Sequence, residues 1–134
     1  MIITKETDYA LRILRVLLDG EKHSVAGMSE TELIPNQFAY QILRKLSAGN
    51  LVRSARRGAL GGCALSCDLD ATSLYDLMGV MGERGVLCAC MEPGYECRWQ
   101  DAHGRCAIHC QLAALQQKQD EAFRAVSLGG RRAG

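Results

Sequence analysis

Cysteine is the residue type whose placement says most about chemistry in this chain. Five of its seven cysteines, Cys88, Cys90, Cys97, Cys106 and Cys110, fall between positions 88 and 110. An odd number gathered in one short stretch argues against a framework of closed disulfides and for a local site. Thiolates are soft ligands, and with a borderline nitrogen beside them they suit zinc or an iron-sulfur cluster, which spacing alone does not separate. Pro93-Gly94 and Gly104 provide turns that let distant thiolates converge. Where the chain turns helical near Cys106, the residues Cys106, His109 and Cys110 share one face at i, i+3 and i+4. Cys63 and Cys67 stand apart and read as buried free thiols. Thiol oxidoreductase chemistry fits poorly, because Cys88-Ala89-Cys90 is one residue short of a Cys-x-x-Cys pair. The Gly58 to Gly62 turn lacks the lysine and the following helix of a phosphate-binding loop, so no enzymatic activity is expected.

A second chemistry is electrostatic. Between Leu33 and Cys67 there is no Asp or Glu, while Arg44, Lys45, Arg53, Arg56 and Arg57 contribute five positive charges. From Asp68 onward nine acids face seven bases, and the whole chain carries only +1. A basic segment inside a nearly neutral protein fits a nucleic-acid face better than a general polycation.

The elements that must position these residues follow from periodicity. With 134 residues, 48% of them apolar, the chain builds one modest core. Thr4 caps a first helix on which Tyr9, Ile13, Val16 and Leu17 recur, ending at Asp19-Gly20. A short helix is expected from Val25 to Thr31. Pro35 suits the first turn of a third helix carrying Phe38, Ile42, Leu43 and Leu46 on one face and ending at Gly49-Asn50. Leu51 to Ala55 and Cys63 to Ser66 read as strands joined by a glycine-rich, basic tip. The expected fold is mostly α with a small β-wing, a winged helix-turn-helix followed by a long C-terminal dimerisation helix. In it Asn36, Gln37, Tyr40, Gln41 and Arg44 face a major groove of double-stranded DNA, and Arg56 and Arg57 at the wing tip reach phosphates or a minor groove.

Thr72 or Ser73 caps a further helix, Leu74 to Met81. From about Cys106 to Val126 the positions Ile108, Leu112, Leu115, Gln119, Ala122 and Val126 alternate four and three apart, a seam that calls for a partner helix and hence a homodimer. Ser127 to Gly134 reads as a frayed end. The expected division is a DNA-binding domain over 1–82, a cysteine-rich loop over 83–106, the dimerisation helix over 107–128 and a disordered tail over 129–134. No apolar run is long enough for a membrane span and the first residues do not form a signal peptide, so a cytoplasmic protein without a membrane partner is expected.

Certain stretches taken in order carry a resemblance. They are Thr7-Asp8-Tyr9-Ala10-Leu11-Arg12, then Leu51-Val52-Arg53-Ser54 with an Arg/Gly-rich turn ending Gly61-Gly62, then Ser73-Leu74-Tyr75-Asp76. The loop cysteines and the run from Leu115-Gln116 to Val126-Ser127-Leu128 complete the set. Together they resemble the Rrf-two family of winged-helix transcriptional regulators, with its IscR-like and NsrR-like members. The resemblance implies a homodimeric transcription factor that senses cluster status, redox state or nitric oxide through a 2Fe-2S or 4Fe-4S cluster. It also implies that Cys90, Cys97 and Cys106 hold that cluster. The fourth ligand is implied to be His109, as in IscR-like members, or Asp8 from the other subunit, as in NsrR-like members. Six and eight residues separate the three cysteines, longer intervals than is usual in the family, and Cys88 and Cys110 are additional. Two other readings use the same residues: a zinc-stabilised winged-helix interaction protein and a thiol-sensing regulator without a cluster.

Overall fold

The computed structural model describes residues 2–55, 62–83 and 85–130. The chain runs through helix α1 (Lys5–Leu17), α2 (Val25–Glu32), α3 (Asn36–Ala48), strands β1 (Val52–Ala55) and β2 (Gly62–Leu65), then α4 (Leu74–Val80), α5 (Arg98–His103) and α6 (Ala107–Arg124). Short 3-10 turns lie at Leu69–Ala71 and Ala89–Met91. This is the winged helix-turn-helix, mostly helical with one antiparallel hairpin.

Side chains fix where the helices begin. The Thr4 hydroxyl accepts from the Thr7 amide, and Ser24 accepts from Gly27 at the head of α2. Ser73 and Asp76 exchange hydrogen bonds with each other's backbone amides, a capping box that starts α4. Pro35 is the residue before α3 rather than its first turn, and its missing N–H costs nothing there.

The core lies where α1, α2, α3 and α4 meet. Ala10, Ile13, Leu17, Ile42, Leu46 and Leu77 are fully enclosed. Phe38 corrects the expected apolar face of α3: it is 40% exposed at the edge and tilts toward Tyr9 with ring centroids 6.3 Å apart. At 100° per residue Ala39, Ile42, Leu43 and Leu46 fill one arc of about 100°, and Phe38 lies about 40° beyond its edge at Ile42. Ala39 takes the buried place beside Ile42 and Leu43.

The hairpin pairs Val52 with Leu65, Arg53 with Ala64, Ser54 with Cys63 and Ala55 with Gly62. Its other edge is closed by His23, which exchanges backbone hydrogen bonds with Cys63 at 3.0 and 2.9 Å. Gly62 is required by this contact, because a Cβ there would lie 2.9 Å from the His23 carbonyl oxygen. The wing is thereby anchored to the segment between α1 and α2.

Residues 83–106, expected as a loop, contain the turn at Ala89–Met91 and helix α5. Trp99 and His103, one helical turn apart, stack at 4.6 Å, and the His103 ring bonds to the Trp99 carbonyl. Helix α6 ends at Arg124, short of Val126, and buries none of its residues. The expected frayed end at Ser127 is tied down instead: the Leu128 amide donates to Thr72 and the Gly129 amide to Leu69. Among the described residues no helix is long and apolar enough to cross a membrane.

Candidate DNA-reading face and cysteine site

Helix α3 buries Ala39, Ile42, Leu43 and Leu46, which turns Asn36, Gln37, Tyr40, Gln41 and Arg44 to the outside. All five are exposed, and between them they donate, accept and stack. Nearby cations elsewhere are already paired. Arg12 lies 3.2 Å from Asp8, Arg15 lies 3.0 Å from Glu32, and Lys45 lies 2.9 Å from Glu6. Arg44 on α3 and Arg53 on β1 form no ion pair among the described residues, so their charges are available to phosphate. Arg53 also lines a hollow with Lys22, Ser54 and Gly62, which places Lys22 beside the wing; nothing in the sequence marks that lysine. Arg56 and Arg57 lie outside the described residues.

The cysteines divide sharply by environment. Cys63 is 1% exposed, and burial pushes its thiol up to about 11, as desolvation disfavours the thiolate. Cys67 donates to the Leu51 carbonyl at 3.5 Å. Both are parts of the wing's packing. In the later region the Cys88 and Cys90 sulfurs lie 3.4 Å apart. The hydrogen bond with Cys88 holds the Cys90 thiol above its ordinary value, helped by desolvation and by charge on Cys88 and Cys106. The Cys106 sulfur caps α6 by accepting from the His109 amide at 3.4 Å. Arg105 Nε donates to the Cys110 sulfur at 3.2 Å, a contact that raises the Arg105 pKa.

Of the residues expected at a metal, Cys106 lies close enough to Cys90 to bear on it electrostatically. Cys97 precedes α5 and is half-buried, with no hydrogen bond to another thiol among the described residues. Asp8 is engaged by Arg12. His109 Nδ1 is buried without a hydrogen-bond partner. Among the described residues no three His, Cys, Asp or Glu side chains stand together so as to hold a metal ion.

One joint ties the two regions together. Glu83, at the head of the cysteine segment, accepts from the hydroxyls of Thr4 and of Thr7, the latter at 2.7 Å, and Thr7 is fully buried. Beyond it Gln116 of α6 donates to the Gly85 carbonyl at 3.0 Å and accepts from the Leu87 amide at 2.7 Å. Glu83 and Gly85 carry no motif, and Gln116, though inside a stretch that carries the resemblance, has nothing in the sequence to mark this contact.

An outward helix of mixed donors and acceptors, set beside an unpaired arginine on a two-stranded wing, defines a winged-helix DNA-binding module. The chain belongs to the Rrf2 (Rrf-two) family, described as an iron-dependent transcriptional regulator, whose match covers residues 3–130. It is accordingly a DNA-binding transcriptional regulator and not an enzyme. Comparison with curated proteins found no match. Among solved structures the fold is similar to that of CymR (YrzC), the global cysteine regulator of Bacillus subtilis. That match has 19% identity and a TM-score of 0.67 over 96% of this chain and 93% of that one. It is also similar to the oxidized form of Staphylococcus aureus CymR, with 19% identity and a TM-score of 0.68 over 96% and 94% of the two chains. T. potens IscR has 15% identity and a TM-score of 0.68 over 96% and 83%.

Proposed function

We propose that this regulator binds duplex DNA as a homodimer in the cytoplasm and reports cluster status, redox state or nitric oxide through an iron-sulfur cluster on its loop thiols. The observation that carries the reading is the unpartnered, buried Nδ1 of His109, three residues beyond Cys106, whose charge in turn acts on Cys90. A buried imidazole nitrogen with nothing to bond is costly unless a ligand completes it. Thiolates and imidazole together are a donor set that fits an iron-sulfur cluster. Cys90, Cys97 and Cys106 would hold it with His109, or with Asp8 of a second subunit after Asp8 leaves Arg12. Such a group supplies redox chemistry and reactivity toward nitric oxide or oxygen. For their part, Glu83 and Gln116 hold the thiol-bearing segment against α1 and α6, so a change in the segment is felt by the DNA-reading helices.

Helix α6 supports the dimer. Ile108 and Leu115 are 67% and 52% exposed, Leu112 is half-buried, Ala122 is exposed, and Val126 just beyond the helix is 47% exposed. An apolar seam of this kind is covered by a second helix in solution. The thiol-sensing reading is favoured by a different observation, the Cys88–Cys90 contact. Zinc draws on the same donors.

Anaerobically purified protein should show visible iron-sulfur absorbance with matching iron and acid-labile sulfide. Cys90→Ser, Cys97→Ser and Cys106→Ser should each abolish it and Cys63→Ser should not. His109→Ala and Asp8→Ala should differ, only the ligand's loss shifting the spectrum. A colourless protein holding zinc and no sulfide would transfer the site to the zinc reading. Duplexes carrying an imperfect palindrome should bind with strong salt dependence, and Gln37 or Tyr40 substitutions should alter base preference.

A further inference from the structure

Cys88 has no place in the proposed ligand set, yet its sulfur has the nearest thiol neighbour among the described residues. It stands 3.4 Å from Cys90, both side chains are half-buried, and both are free thiols. The backbone enforces the approach. Cys88 is extended and leads into the tight turn Ala89–Met91, which closes when the Met91 amide donates to the Cys88 carbonyl at 3.0 Å. Two residues apart, the Cα atoms cannot be further than about 7 Å, within the reach of a disulfide. The sulfurs need only close from 3.4 Å to a bond of about 2 Å. Of the other thiols, Cys106 is engaged by the His109 amide, Cys110 by Arg105, Cys67 by the Leu51 carbonyl and Cys63 by burial in the core, while Cys97 has no thiol within hydrogen-bond distance among the described residues.

We infer that Cys88 and Cys90 are a dithiol that a hydroperoxide converts into an intramolecular disulfide, withdrawing Cys90 from the metal-binding thiols until a reductant returns it. One thiolate attacks the hydroperoxide's terminal oxygen, the O–O bond breaks, and the alcohol or water leaves with a proton, giving a sulfenic acid. The second thiolate displaces hydroxide from that sulfur, which departs as water, and the S–S bond forms. Two thiols are oxidised by two electrons while one peroxide O–O bond is reduced. The disulfide stands on the Cys88–Cys90 geometry alone. Its consequence, that oxidised protein cannot be loaded, rests on the proposed cluster.

The test uses the full chain, reduced and freed of iron by chelation, treated briefly with hydrogen peroxide and then alkylated. Trypsin cutting after Arg84 and glutamyl endopeptidase after Glu96 release residues 85–96, which contain Cys88 and Cys90 and no other cysteine. That peptide should carry no alkyl group and be lighter than its reduced form by the two thiol hydrogens. Two alkyl groups on it, or a crosslink to a peptide bearing Cys97 or Cys106, would overturn the pairing. Given ferrous iron and sulfide, oxidised protein should lose the visible absorbance that the reduced protein gains and recover it after dithiothreitol. Untreated Cys88→Ser should load as the reduced wild-type protein does, because Cys88 is outside the proposed ligand set. Undiminished loading with the disulfide present would overturn the gating role. Failure of the reduced, untreated protein to load would instead sink the cluster reading and leave the disulfide to be judged by its mass.

Discussion

The region up to Met81 and the region after it are built on opposite terms. The first encloses Ala10, Ile13, Leu17, Ile42, Leu46 and Leu77 completely. The second contains the longest helix, 18 residues of α6, and buries none of them. Where α6 meets α4 and the 83–93 segment, a cavity of about 130 Å³ remains between Met78, Val86, Met91 and Phe123. Close packing is what a finished core shows, and the half-covered apolar residues of α6 are what the proposed dimer would cover. The same contrast separates the cysteines. Cys63 is sealed in the wing and Cys67 beside it is half-buried, whereas none of Cys88, Cys90, Cys97, Cys106 and Cys110 is buried. The proposed reading assigns DNA binding to the fully packed region and sensing to the open one.

The largest expected effect would break the contrast at α6. Leu115→Asp changes nothing in a monomer, since Leu115 is 52% exposed. In a dimer it buries an unpaired charge between apolar helices, at several kcal/mol. Light scattering should show dissociation or loss of folded protein; an unchanged dimer mass would move the subunit contact away from α6.

Alkali should act through the sealed cysteine. Cys63 keeps its proton up to about 11 when folded, against 9.0 for an ordinary thiol, so the folded state holds more protons between those values. The resulting stability is present below pH 9 and is lost as pH rises through about 11. The full loss is about 3 kcal/mol. Denaturation midpoints measured from pH 8 to 11 should fall, and Cys63→Ala should flatten that slope. A slope unchanged by Cys63→Ala would assign the alkaline loss to another group.

Glu83 tests the joint between the regions. Glu83→Gln keeps the shape but weakens two hydroxyl contacts to a carboxylate, one from fully buried Thr7, at a cost of about 1–2 kcal/mol. Urea denaturation should register that cost. A single unchanged transition would mean that the two regions do not lean on each other there.

Much of the first region was legible because local rules and global packing agree in it. Thr4 and Ser73 announce helix starts, and the apolar spacing names half of the buried face of α1 and most of that of α3. Phe38 failed because it stands just beyond the edge of the buried arc, whose place at that end of α3 is taken by Ala39. The pairing of His23 with Cys63 is a contact between backbones 40 residues apart, which no spacing rule encodes. Helix α5 was missed because its six residues bury nothing and so leave no apolar period. For the cysteine site, sequence marked the cluster of thiols but not which sulfurs touch. The Cys88–Cys90 contact depends on a turn whose residues, Ala89 to Met91, contain no glycine or proline to announce it.

The smallest expected effect probes whether the first region is as complete as it looks. Leu33 ends α2 in the left-handed conformation, with φ 56°, and its side chain is 79% exposed. Leucine pays about 1–2 kcal/mol there because its Cβ crowds the carbonyl, and the contacts that would offset this are absent from the isolated subunit. Glycine removes the clash but gains freedom when unfolded, which returns part of the benefit. Leu33→Gly should therefore raise stability by about 0.5–1 kcal/mol, a rise of a few degrees in Tm by scanning calorimetry. The hydrogen bond from the Leu33 amide to the Ser29 carbonyl does not depend on the side chain, so the turn into α3 should survive. A fall in Tm would mean that Leu33 is covered in solution. The first region would then carry an apolar contact of its own, and the division between a finished region and an unfinished one would have to be redrawn to include the turn before α3.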